Sequence, residues 1–385
     1  MNKHVWHWIK GLAKYGIGIG VLIYVLRENW EPREENPGIK GLLQQVPDLL
    51  NFATLAAIAV CCTSIQFVRW YLLVRALDLP FTIGSAFRLG LVGAYYNSFL
   101  PGSVGGDLMK AYYIARDQPG RRASAVATVL ADRLIGLFGL LWFAAAFGGG
   151  FWLAGDTRIA GNDYLKGIVR VCSVLAGTTV IGWAVLGLLP LRRADRFASR
   201  LAHIPKLGHT LAELWYAVWT YRQRPWAVYA TVAMTAVVHV GFVFMFHLAV
   251  RVFPADGPAT LPEHFVIAPI GYIAQAFFPA PGGVGGGEAI FGHVLYKEAL
   301  GRDEATGVIG RLTLRVVEWS IGLVGLVLFL RMRDVLPVVE DEAEKEGYGG
   351  HDDTPGDHLA AGPSAPSSPD GIAPRPSVNG VSVAS

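Results

Sequence analysis

The chain's most unusual chemistry lies in two short runs. Pro101-Gly102-Ser103-Val104-Gly105-Gly106 recurs as Pro281-Gly282-Gly283-Val284-Gly285-Gly286, with five of six positions identical. An acid follows each run, Asp107 directly and Glu288 after the additional Gly287. Glycines let backbone N–H groups approach a ligand, and a helix N-terminus attracts anions such as phosphate. A short helix is expected after each break, over 107–116 and 287–299. No Gly-Lys-Ser or Gly-Lys-Thr follows, so these are not nucleotide loops. The competing reading is purely structural: tight turns between closely packed helices, where glycine is common.

Charged residues inside apolar segments form the second candidate set. Arg311, Arg315 and Glu318 fall at i, i+4 and i+7, on one helical face, and Asp132 and Arg133 lie in the first half of another apolar segment. Ionisable residues in a membrane span are costly and mark pathways or sites. Arginine suits bidentate phosphate contact, so Arg311, Arg315, Lys110 and the glycine-run amides would hold phosphate. Asp107, Asp132, Glu288 and Glu318 would meet a cation or couple protons. The architectural alternative pairs Arg315 with Glu318 within the helix and lets Asp132 and Arg133 satisfy each other or a neighbouring helix. Asn97 and Gln275 precede the two breaks, where each could line the site or cap backbone groups. Arg69 and Trp70 read as interfacial anchors at a helix end.

Other chemistries find no support. His239 and His247 are eight residues apart with no third ligand, which argues against a metal. Cys61, Cys62 and Cys172 lie in apolar runs without Cys-x-x-Cys spacing. There is no Ser/His/Asp set, no His-Glu-x-x-His and no cofactor motif, so no catalytic residue, metal or cofactor is expected. The chain reads as a non-enzyme.

These residues must be positioned by membrane helices. Of 385 residues, 52% are hydrophobic and only 16% charged, against about 25% charged in soluble domains. The mean hydropathy is +0.39. A soluble enzyme, a disulfide-stapled secreted domain and a nucleic-acid-binding module are thereby excluded. Six segments are long and apolar enough to span: 8–26, 52–75, 124–150, 167–190, 226–250 and 305–330. The first reads as a retained signal anchor. Lys3, Lys10 and Lys14 put the N-terminus in the cytoplasm, and Arg331 and Arg333 put the C-terminal end there too. The basic segment 191–225 is expected as amphipathic cytoplasmic helices on the inner leaflet. The region from 339 onward, acidic and then rich in Pro, Ser and Gly, is expected to be a disordered tail.

Two apolar regions, 80–116 and 261–300, each leave and re-enter the same side under this charge rule. They read as re-entrant helical hairpins, with two packed full spans as the alternative. The first enters from the cytoplasm and the second from outside. Paired Gly/Pro-interrupted segments of opposite orientation point to a transporter with inverted repeats. The repeat halves are about 52–150 and 226–331. The expected fold is an all-α polytopic bundle within 1–338, with two helix N-termini directed at one shared site.

The run Arg69-Trp70-Tyr71-Leu72-Leu73, the stretch Asn97 to Asp107 with Lys110, and Pro281 to Gly285 with Glu288 resemble the transmembrane-region family of lysylphosphatidylglycerol synthase. The resemblance covers roughly 8–332 and supports Asn97, Pro101, Gly102, Gly105, Gly106, Asp107, Lys110, Pro281, Gly282, Gly283, Gly285 and Glu288 as site residues. It implies a flippase-like protein that moves or binds a lipid headgroup between leaflets of the plasma (inner) membrane. The synthase domain of the family's two-part members is not expected here, so aminoacyl-tRNA transfer is not inherited. The implied partners are an anionic or aminoacylated phospholipid or a polyprenyl-linked lipid, with a homo-oligomer or a separate synthase as protein partners. A membrane-embedded lipid-modifying transferase and a non-transporting scaffold are the competing functions. Gly287 breaks the strict match between the two acids.

Overall fold

The computed structural model describes residues 3–32, 37–99, 105–156, 161–188, 208–255 and 257–332. Pro101, Gly102 and Ser103 lie outside the described residues, as do 191–207 of the basic segment and the expected tail.

The described residues are helical, with no strand. In chain order the helices are α1 (Lys3–Glu28), α2 (Gly38–Leu43), α3 (Leu49–Ala76), α4 (Ile83–Phe99), α5 (Gly105–Arg116) and α6 (Arg122–Leu153). There follow α7 (Asp163–Leu188), α8 (Gly208–Gln223), α9 (Pro225–Ala249), α10 (Leu261–Ala276), α11 (Gly286–Ala289, continuing as the π-helical Ile290–Ala299) and α12 (Glu304–Met332). Five of them, α3, α6, α7, α9 and α12, are long and apolar enough to cross a membrane. The 26-residue α1 occupies the first expected span but is not among those five.

Local sequence explains the boundaries. Asp48 accepts hydrogen bonds from the Leu50 and Asn51 amides and starts α3. Pro225 opens α9, where its missing N–H costs nothing. Thr260 and Glu263 start α10, the Glu263 carboxylate accepting from the Thr260 amide at 2.6 Å. Asp303 does the same for α12 through the Ala305 and Thr306 amides.

The arms of the two hairpins are short. The 17 residues of α4 and the 12 of α5 extend about 25 and 18 Å at 1.5 Å per residue. The hydrocarbon core is about 30 Å thick. These lengths fit re-entrant hairpins better than pairs of full spans. α10, with 16 residues, is similar.

Packing reveals the repeat. α3 lies against α9, α4 against α12, and α6 against α10. Exchanging α3 with α9, α4 with α10 and α6 with α12 maps this set of pairings onto itself. α5 packs on α4 and α6, as α11 packs on α10 and α12. Each half therefore contributes a hairpin that docks on the long final helix of the other half.

Small residues make these contacts possible. A side chain on Gly325 of α12 would collide with the Leu91 carbonyl oxygen of α4, whereas Gly177 on α7 has open space around it. In lipid, close backbone approach replaces the hydrophobic drive between helices. Gly325→Ala is expected to lose about 2 kcal/mol of stability through overpacking. Gly177→Ala should lose none. Thermal unfolding of both variants in lipid nanodiscs checks the contrast.

Candidate functional site

Each hairpin presents the same local unit. α5 begins Gly105-Gly106-Asp107 and α11 begins Gly286-Gly287-Glu288, so both acids are the third residue of their helix. The additional Gly287 moves the start of α11 by one residue and leaves the acid in register. A carboxylate in the first helical turn also complements the positive end of the helix.

Each acid pairs with an arginine from the long helix that closes its own half. Asp107 meets Arg133 of α6, and Glu288 meets Arg315 of α12, with 2.5 Å between Arg315 Nε and Glu288 Oε1. The two pairs differ in environment. The Arg133 side chain is 46% exposed, whereas Arg315 is 2% and Glu288 0% exposed. Arg315 therefore does not pair with Glu318 within its helix.

Arg315 clips the second glycine run closed. Its Nη1 donates to the Gly282 carbonyl at 3.1 Å and its Nη2 to the Gly283 carbonyl at 3.3 Å. Glu288 in turn accepts from the Gly285 amide at 2.7 Å. Gly282, Gly283 and Gly285 all have positive φ, which accounts for glycine at those positions. Pro281 opens the one-turn 3-10 element at 281–283. Gly286 packs so closely on the Phe278 ring that a side chain would collide with it.

Of the first run, only Gly105 and Gly106 lie among the described residues. Asn97 Oδ1, at the end of α4, accepts from the Gly106 amide at 2.9 Å. A side chain on Gly106 would strike the Gly93 carbonyl of α4. Lys110 stacks its ammonium 5.3 Å from the centre of the Trp70 ring. The amides of Gly106 and Gly285 thus already have acceptors, and bulky replacements there would disturb packing as well as any ligand.

The hairpin tips meet. A Cβ on Gly282 would lie 3.6 Å from the Ser98 carbonyl oxygen and 3.7 Å from that of Asn97. Beside this junction sits Arg311, wholly buried. Its Nε donates to Gln275 Oε1 at 2.7 Å and its Nη2 to Glu318 Oε2 at 2.9 Å. Gln275 also donates to the Gly282 carbonyl at 3.3 Å. Arg311 Nη1 is the one buried side-chain polar atom without a hydrogen-bond partner among the described residues. Glu318, its partner, is 38% exposed. The spare N–H of Arg311 can donate to a ligand oxygen, and the part-open Glu318 carboxylate can face a cation.

A separate cluster lies between α3, α6 and α9. Arg69 is 4% exposed rather than snorkelling at an interface. Its Nε donates to Asp132 Oδ1 at 2.8 Å, and its Nη1 to Thr235 Oγ1 at 2.9 Å. Asp132 therefore pairs with a neighbouring helix and not with Arg133. Sequence reading missed this role because Arg69 sits near a helix end, where an anchoring role is the simpler assignment. His247 pairs with His264, Nδ1 to Nδ1 at 2.9 Å, and His264 Nε2 lies 2.6 Å from the Tyr296 hydroxyl. Among the described residues no group of three metal-ligating side chains converges.

Residues 17–325 match the lysylphosphatidylglycerol synthase TM region. The chain belongs to that family. No curated protein and no solved structure matches it. Membership, with the apolar helices, makes the chain a multi-pass membrane protein and points to action on lipids. The hairpin acids, Asn97 and the ordered glycines of the second run all lie within the family region.

The Arg69–Asp132 pair gives a stability prediction. Asp132→Ala leaves a buried guanidinium without its carboxylate and should cost about 3 to 5 kcal/mol. The double variant Arg69→Leu/Asp132→Leu should recover most of that loss. Unfolding midpoints in nanodiscs provide the measurement.

Proposed function

We propose that this protein translocates a membrane lipid by passing its headgroup through the interior where the two hairpin tips meet. The acyl chains would stay in the bilayer. The reading rests on one observation above all: Arg311 keeps a buried N–H without a partner beside the part-exposed Glu318. Leaving such a group unsatisfied costs about 1 to 3 kcal/mol, and more for a charge. A phosphate or other headgroup oxygen would relieve that cost, and Glu318 would face a cationic part of the same headgroup. The family's link to lipids and the inverted hairpins support the same reading.

In this proposal the lipid leaves chemically unchanged, so the protein is not an enzyme. In this proposal both termini lie in the cytoplasm, which the clustered Lys and Arg residues support, and the membrane is the plasma membrane. A second copy of the chain or a separate lipid synthase would be its protein partners. A scaffold is the second reading. It is favoured by Arg315, three of whose donors are engaged with the glycine run and Glu288.

The test uses proteoliposomes carrying fluorescent phosphatidylglycerol or phosphatidylethanolamine, with chemical quenching of the outer leaflet. Losing a charge-assisted hydrogen bond worth about 1.5 to 3 kcal/mol should slow translocation at least tenfold in Arg311→Ala. Arg311→Lys should retain part of the rate, because the charge remains. Glu318→Gln should slow the zwitterionic lipid more than the anionic one. Undiminished translocation in Arg311→Ala would remove the site assignment, and no translocation by the unmodified protein would favour the scaffold.

A further inference from the structure

The two halves share a pattern of packing but not a cover. α1 lies against the second hairpin, on α11 and on the 281–283 turn. Its Gly18 seats against Ala280, where a Cβ on Gly18 would come within 2.5 Å of the Ala280 Cβ. The Gly18 carbonyl in turn abuts Gly285. Farther along, Val25 is buried with Val308 and Ile309 of α12. Outside the two halves, α7 is the long helix that precedes the second half by chain order, as α1 is the long helix that precedes the first. α7 packs instead on α6, with Val169 against Gly148.

The ion pairs follow the same asymmetry. Glu288–Arg315, under α1, is sealed, while Arg133 of the equivalent pair is half exposed. Leu108, one residue beyond Asp107 on α5, is 66% exposed. Among the described residues, the acid–arginine pair beneath α1 is thus closed to solvent, whereas that of the first hairpin is part-open at its arginine. In an inverted repeat, the conformations of the two halves describe the two ends of an exchange between access states.

We propose that α1 is a lateral gate over the second hairpin. It leaves that hairpin as α7 closes over the first. What passes the gate rests on the translocation reading, whereas the movement of α1 does not. The interface suits such movement. Tyr15 Oη, midway along α1, donates to the Phe99 carbonyl at 2.7 Å, and Asn29, just past the C-terminal end of α1, donates to Glu304 at 3.1 Å. Between these ties the contact is made by small and aliphatic residues. Lipid tails are as apolar as those side chains, so exchanging helix contact for lipid contact costs little.

Two measurements test the gate, both in a background with Cys61, Cys62 and Cys172 replaced by alanine. Spin labels at Ile23→Cys and Val316→Cys, both on exposed positions, report the distance between α1 and α12 in nanodiscs. The gate requires two distance populations, and Tyr15→Phe should enlarge the longer one. A single narrow population, unchanged by Tyr15→Phe, overturns it whatever the transport assay shows. The pair Asn29→Cys/Glu304→Cys, joined by a reducible bifunctional thiol reagent, pins α1. Translocation should fall at least tenfold and return after reduction. Full translocation with α1 pinned also overturns the gate. If the unmodified protein moves no lipid while two populations persist, the translocation reading fails and the gate stands.

Discussion

A helix broken at membrane depth frees backbone carbonyls and amides that lipid cannot satisfy. The rest of this structure depends on how that problem is solved at the second glycine run. Arg315 takes the Gly282 and Gly283 carbonyls and neutralises itself on Glu288, which holds the Gly285 amide. One guanidinium thus closes the loop, starts α11 and ties the hairpin to α12. With this clip in place, the broken segment can sit at the centre of a bundle. Arg315 is in that sense architectural, and Arg311, one turn earlier, is the arginine with a donor to spare.

Symmetry supplies the second organising constraint. Each half encloses its own acid–arginine pair and lends its hairpin to the other half's long helix. The arrangement brings the Gly282 turn against the end of α4. The halves are not equivalent chemically. Asp132 is held by Arg69 across helices, while Glu318 shares Arg311 on its own helix and stays part-exposed. A bundle that is alike in packing but unlike in charge exposure can offer a headgroup a binding side and a passage side.

Much of the fold was legible in the sequence, because hydrophobic length and loop charge act locally. The six expected spans coincide with α1, α3, α6, α7, α9 and α12, and the expected short helices with α5 and α11. Partner choice was less legible. Spacing offered Glu318 to Arg315 at i+3, but Arg315 instead crosses to Glu288, 27 residues away in sequence. Arg69 read as an anchor because of its place near a helix end, and only the tertiary fold brings Asp132 to it. The different seats of α1 and α7 leave no trace in the glycine motifs, since they depend on which groove each helix occupies. Lys110 was expected to meet phosphate, and it lies over an indole.

The central claim is that the buried, unpartnered donor of Arg311 exists for a lipid headgroup. The most direct measurement is mass spectrometry of lipids that co-purify with the protein in native nanodiscs, compared with Arg311→Ala. The account predicts one lipid class enriched over the bulk membrane and lost in the variant. Equal lipid profiles from the two proteins, or no enrichment in either, would contradict it.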